Sequence, residues 1–208
     1  KLDVAYSVIE KYKDITTIVF CETSKFADKL TERLGHSAVA YHTNLATVAY
    51  KELDNSVIIP TDLEHKKQLK SLGYTILGKA KLKQFAKDKF NDLDSNVNQL
   101  VTVRALDEGA DFKKVDIALF LAYNSTQRQH IQRQGRASRV DYNNLDKRSL
   151  NIYLYIKDTQ EEKWLNEGQR GKRGVRWITS IDEINFDGIK LTNNGTPTGV
   201  IKADQIRI

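Results

Sequence analysis

The sequence predicts an α/β fold, a mostly parallel β-sheet flanked by helices with an irregular C-terminal extension. Three observations carry this expectation. Ile15 to Cys21 (ITTIVFC) is a β-branched apolar run of the kind buried on both faces in parallel sheets. A capped amphipathic helix and a second short strand follow it, completing a strand–helix–strand unit by His42. Asp116 to Tyr123 (DIALFLAY) is the most apolar stretch in the chain and is expected at the centre of the sheet.

The elements follow in order. Leu2, Val4, Ala5, Val8, Ile9 and Tyr12 recur at helical spacing, so the chain opens on an amphipathic helix. After the strand at 15–21, Thr23 or Ser24 caps a helix carrying Phe26, Ala27, Leu30 and Leu34, stopped by Gly35. Ser37 to His42 is the next strand. Leu45 to Leu53 reads as a possible helix, and Val57-Ile58-Ile59 as a strand stopped by Pro60. A basic helix is expected from Thr61 to about Leu72, a short strand at Tyr74–Leu77, and a second basic helix from Gly78 through Phe90. The lysines crowding 66–89 suit either a solvated helix face or a nucleic-acid contact. Leu100–Val103 and Asn151–Ile156 are further strands, the latter with alternating character, and Thr159 caps a helix through Leu165. Beyond Gly168 the chain turns basic and Gly-rich, then Asn- and Thr-rich. A loosely packed extension is expected there, anchored by Trp177-Ile178 and Ile181–Phe186.

A net charge of +6 and a pI near 9.2 suit a polyanionic partner. The single cysteine, Cys21, excludes an internal disulfide and fits a reducing, intracellular compartment, either cytoplasmic or nucleoid-associated. Because Cys21 ends an apolar run, it reads as core rather than nucleophile. No apolar run reaches membrane-spanning length, so no membrane partner is expected. The chain lacks Met, which suggests a piece of something longer or a processed product.

The stretch Gln132-Arg133-Gln134-Gly135-Arg136-Ala137-Ser138-Arg139 carries the chemistry. Arg136 and Arg139 stand three apart and share a face if helical. Gly135 admits a close approach beside them, and Gln132 adds a neutral amide one turn ahead. Planar guanidinium forks of this kind stabilise charge on a transferred phosphoryl group; a basic surface helix is the plainer reading. Parallel-sheet ligands bind beyond the carboxyl ends of the strands. Val103 leads there into a loop with Glu108, Gly109 and Asp111, where Asp111 offers an acceptor for a ribose hydroxyl or joins a structural ion pair. Thr102, at the strand end, is placed to give its hydroxyl to a phosphate.

Taken together, these stretches resemble the second RecA-like lobe of superfamily-two helicases and translocases. Thr16–Thr23 (TTIVFCET) looks like the family's motif IV, Val101–Asp111 (VTVRALDEGAD) like motif V, and Gln132–Arg139 like motif VI, Q-x-x-G-R-x-x-R, all in the family's order. The resemblance implies a RecA-like sheet and ATP as cofactor, with Mg²⁺ bound mainly by an N-terminal RecA-like lobe. It implies that Arg136 and Arg139 reach the γ-phosphate, while Gln132, Gly135, Glu108, Gly109 and Asp111 sit at the nucleotide cleft. Thr102 and the loop after Cys21 (Thr23, Ser24, Lys25) would touch the nucleic-acid backbone. The run Ser125–Ser138 and the stretch Asn151–Tyr155 look more like repair- and restriction-type DNA translocases than DEAD-box RNA helicases, so DNA is expected over RNA.

Departures from the family pattern shape the domain reading. No G-x-x-x-x-G-K-[ST] occurs, so the phosphate-binding lobe is expected to be missing from this chain and the chain to be inactive alone. Phe112-Lys113 stands where motif V often carries a proline. The lobe is expected over 1–167, with 43–77 a possible insertion and 168–208 a basic, polar extension. The alternative is a non-catalytic RecA-like module that binds nucleic acid or protein; a Walker motif upstream of Lys1 discriminates the two.

Overall fold

The computed structural model describes residues 1–51, 53, 56–92, 94–103, 112, 115–122, 150–170 and 175–184, together with the backbone of 198–202. In chain order the described elements are α1 (Leu2–Lys11), β1 (Thr17–Cys21), α2 (Ser24–Leu34), β2 (Ala38–Tyr41), β3 (Val48–Lys51), β4 (Ser56–Ile58) and α3 (Leu63–Ser71). They continue with β5 (Thr75–Leu77), α4 (Lys79–Asn91), β6 (Gln99–Val103), β7 (Ile117–Phe120), β8 (Leu150–Tyr155), α5 (Gln160–Gln169), β9 (Val175–Ile178) and β10 (Thr198–Lys202).

Seven strands form one sheet in the order β2-β6-β1-β7-β8-β10-β9, and each neighbouring pair runs parallel. β7 stands in the middle, as its apolar run predicts. Successive side chains of a strand point to opposite faces, and the core splits accordingly. Val19, Cys21, Val101, Leu119 and Ile152 pack on one face with Val4, Val8 and Ile9 of α1 and Leu30 of α2. Ile18, Phe20, Leu100, Phe120 and Tyr153 pack on the other with Ala86 and Phe90 of α4 and Leu165 of α5. On that second face Phe20, Phe120 and Tyr153 occupy paired register positions on β1, β7 and β8. Their rings stack in a row, with centroids 4.8 and 4.6 Å apart and planes within 6° and 11°.

α2 shows how local sequence sets its boundaries. Thr23 is the N-cap, its hydroxyl accepting from the Phe26 amide at 3.2 Å, and Ser24 opens the helix proper. At the other end Gly35 turns the chain at φ +64°, a conformation that side chains with a Cβ rarely adopt.

Three expectations are corrected. Leu45–Leu53 is not helical where described: Val48–Lys51 is strand β3, flanked by β4 and β5 in a separate antiparallel sheet. Its alternation of Val48 and Tyr50 with Ala49 suits a small sheet buried on one side, and α3 packs against β3 and β5. β8 does not alternate; all six residues are buried, because the rings of Tyr153 and Tyr155 are covered despite their hydroxyls. Nor is the region beyond Gly168 wholly irregular. β10 pairs with β8 and β9 with β10, so both strands extend the main sheet. The expected anchors Ile178 and Ile184 are buried there, and Glu183 closes a capping box with Ser180. Trp177 is half-exposed and meets Tyr155 edge-on at 5.8 Å.

Among the described residues no helix is long and apolar enough to cross a membrane, and no group of three His, Cys, Asp or Glu stands together to hold a metal.

Candidate nucleic-acid interface

The carboxyl ends of β1, β2 and β6 lie side by side, with Cys21 opposite Val103 and Tyr41 opposite Thr102. Each strand releases a polar segment at that edge, and together they line a cleft of about 470 Å³. β1 contributes Glu22, Thr23 and Ser24, β2 contributes His42, Thr43 and Asn44, and β6 contributes Thr102 and Val103. Lys83 of α4 closes one side, its ammonium 5.3 Å from the centroid of the Tyr41 ring.

Hydrogen bonds tie the loop after β2 to the start of α2. Asn44 donates from its side chain to Ser24 Oγ at 3.2 Å and from its backbone to His42 Nδ1 at 3.3 Å. Since Nδ1 accepts, the ring proton sits on Nε2, which donates to Asp28 Oδ1 at 2.8 Å. His42 is buried, so it acts as a strut between β2 and α2.

The hydroxyls of the cleft differ in what they have left to give. Thr23 Oγ1 and Ser24 Oγ both accept within the protein, which leaves each O–H available to donate outward. Thr23 is the N-cap of α2 and Ser24 its first residue, where backbone donors are open and the helix dipole favours an anion. Lys25, the next residue, is exposed. Thr102 differs: it is buried, and its hydroxyl donates to the Tyr41 carbonyl at 2.8 Å. Its donor is spent holding β6 to β2, which does not fit the expected gift to a phosphate. Thr102→Val therefore removes this hydrogen bond and is expected to lower stability by about 1 kcal/mol, while oligonucleotide affinity stays within twofold of wild type. A denaturant melt beside a binding titration checks both halves.

Phe112, noted in the sequence only as a departure from motif V, has a clear place. It is buried and meets Tyr41 edge-on at 5.8 Å and Phe90 at 5.6 Å. The aromatic ring thus pins the chain just past Asp111 to β2 and α4. Cys21 is fully buried, and burial pushes its thiol up to about 12, so it is core and no nucleophile. Gln132, Gly135, Arg136, Arg139, Glu108, Gly109 and Asp111 lie outside the described residues.

The structure therefore brings Thr23, Ser24 and Thr102 together in the cleft, while Lys25 follows Ser24 on α2 without lining it. His42, Asn44 and Lys83 are further cleft residues that the sequence reading did not single out. The strand-end rule would have found His42 and Asn44, which follow an apolar strand directly. Nothing local marks Lys83 among its neighbouring lysines.

A mostly parallel sheet flanked by helices, with a polar cleft at its carboxyl edge, is the architecture of a RecA-like lobe. Residues 1–141 match the helicase conserved C-terminal domain, and the chain belongs to that family. A search of the curated proteins found no match. Among solved structures the chain is similar to domain 2 of the DEAD-box helicase Mss116p, bound to an RNA duplex, at 16% identity and a TM-score of 0.50. That likeness covers 96% of this chain and 57% of that one. It is also similar to the C-terminal domain of S. cerevisiae Dbp5 L327V, bound to Gle1 H337R and IP6, at 16% identity and a TM-score of 0.49, covering 81% and 78%. The helicase domain of Pyrococcus furiosus Hef matches at 17% identity and a TM-score of 0.45, covering 81% of this chain and 27% of that one.

Proposed function

We propose that the chain is the second motor lobe of an ATP-dependent nucleic-acid helicase or translocase, and that the cleft at the carboxyl edge grips the sugar–phosphate backbone. The observation that carries this is the pair of hydroxyls on Thr23 and Ser24. Both keep a donor, at the N-terminus of α2 and beside Lys25, in a chain of the helicase C-terminal family. Such contacts position a strand without reading its bases. Lys83 adds a cation from the opposite wall, while Glu22 keeps the cleft from being uniformly basic.

ATP supplies the phosphoryl chemistry when an N-terminal lobe binds it. In this reading Arg136 and Arg139 complete the charge clamp as the two lobes close, with Gln132, Gly135, Glu108, Gly109 and Asp111 at the same cleft. The chain carries no phosphate-cradling loop and is inactive alone. Residues 43–77, which contain the small antiparallel sheet, are an insertion into the lobe, and 168–208 are an extension built onto it. DNA is the favoured substrate, from the resemblance of 125–138 and 151–155 to DNA translocases; the Mss116p domain was seen with RNA, so both strands belong in the test.

The expected result is sequence-independent binding that weakens steeply between about 50 and 200 mM salt, roughly threefold per phosphate contact. Lys25→Ala should lower the salt slope by about one. Fluorescence anisotropy with labelled DNA and RNA oligonucleotides measures it. Affinity unchanged across that salt range, or a Lys25→Ala slope equal to wild type, removes the cleft as the backbone grip.

A further inference from the structure

We propose that the groove between the small antiparallel sheet and α4 is a second contact for single-stranded nucleic acid, where a base stacks on Tyr50 and Phe85 while Lys81 and Lys89 hold the flanking phosphates. This rests on the nucleic-acid reading of the cleft, but the residues and the end of the sheet are different. The groove holds about 540 Å³ and lies at the amino ends of β2 and β6, opposite to the cleft. That volume is within the roughly 300–1,000 Å³ typical of ligand sites.

Its walls have the character of a stacking platform. The Tyr50 and Phe85 rings meet at 4.8 Å, and both are only partly buried. Val57 beside them is 60% exposed. Lys81, Phe85 and Lys89 recur every four residues and so share one edge of α4. The Lys89 ammonium lies 5.8 Å from the Phe85 ring centroid. Neither Lys81 nor Lys89 has an ion-pair partner among the described residues. An aromatic pair set between two available cations matches a base between two phosphates, a pairing tolerant of base identity. Ser95 and Asn96 also line the groove and can meet a base edge; Asp94 is the only acid lining it among the described residues.

Charge favours nucleic acid over a protein as occupant. Residues 43–78 carry four lysines (Lys51, Lys66, Lys67, Lys70) against four acids (Glu52, Asp54, Asp62, Glu64) and are neutral overall. α4 carries five lysines against Asp88 alone. The positive field therefore belongs to the one helix that touches both sites, through Lys83 at the cleft and through Phe85 and Lys89 at the groove. Lys83 and Lys89 are about 9 Å apart along the helix axis and face different sides of α4, so the groove is a contact separate from the cleft.

The test compares the affinity of the full chain for single-stranded oligothymidylate with its affinity for a blunt duplex, whose bases are already stacked. Tyr50→Leu and Phe85→Leu keep apolar bulk and remove the ring; Tyr50→Phe keeps the ring and serves as the folding-matched control. The leucine variants are expected to lose about five- to a hundredfold in single-strand affinity, with duplex affinity unchanged and Tyr50→Phe near wild type. A 2-aminopurine in the oligonucleotide should be quenched by wild type and less so by Phe85→Leu. Single-strand affinity unchanged in both leucine variants, with Lys25→Ala still weakening binding, overturns the groove and leaves the cleft standing. Equal losses on single strand and duplex also overturn it, since stacking demands a difference. If wild type binds neither probe, groove and cleft fail together.

Discussion

Arg136→Ala or Arg139→Ala, made in the intact two-lobed protein, is expected to cut ATP turnover by roughly 10³- to 10⁵-fold while leaving ATP affinity close to wild type. The asymmetry follows from the proposed role. Both guanidinium groups act on charge that develops in the transition state, so ground-state binding changes little. Arg136→Lys should fail as well, because an ammonium is a point charge and cannot reproduce a planar fork of donors. Arg128 and Arg133 fall outside the fixed positions of the Q-x-x-G-R-x-x-R pattern and serve as controls that lose far less. If the octet were only a basic surface helix, all four substitutions would behave alike. Steady-state turnover with ATP affinity measured in parallel decides it, and turnover within a few-fold of wild type for Arg136→Ala sinks the arginine-finger role.

The second large effect concerns the core that positions the cleft. Phe120 is fully buried on the central strand, stacked between Phe20 and Tyr153. Phe120→Ala leaves a cavity that neighbouring strands, held by backbone ladders on both edges, cannot collapse to fill. The expected cost is about 3–5 kcal/mol, which lowers the Tm by roughly 6–20 °C for a chain of this size. Phe120→Leu keeps most of the volume and should cost markedly less. A thermal melt with both variants is sufficient; a loss under about 1 kcal/mol for Phe120→Ala would contradict the stacked row.

Much of this molecule was legible in order along the chain. A β-branched run with no polar alternation can only be satisfied by burial on both faces, and β1 and β7 are fully buried. Thr23 and Gly35 bracket α2 because capping depends on nearest neighbours, within reach of a local reading. Motif spacing likewise pointed to the helicase C-terminal family, to which the chain belongs. The motif V loop and the arginine octet fall outside the described residues, so their roles stand as proposals.

What the sequence by itself determined was the class of fold, most of the strands and helices, and the loop after β1 as a place of interest. What only the tertiary structure decided was which polar groups still have something to give. Thr102 looked free to bind phosphate until the carbonyl of Tyr41, 61 residues away in the chain, was seen to accept its hydrogen bond. Lys83 was one lysine among many until the packing of α4 set it against the Tyr41 ring. β9 and β10 joined the sheet through partners distant in sequence, β10 as a short Thr-Gly-Val-Ile run set behind an Asn-, Gly- and Pro-containing stretch. Local chemistry fixes caps, turns and periodicity within a few residues, whereas the availability of a hydroxyl or an ammonium depends on neighbours that only the folded chain supplies.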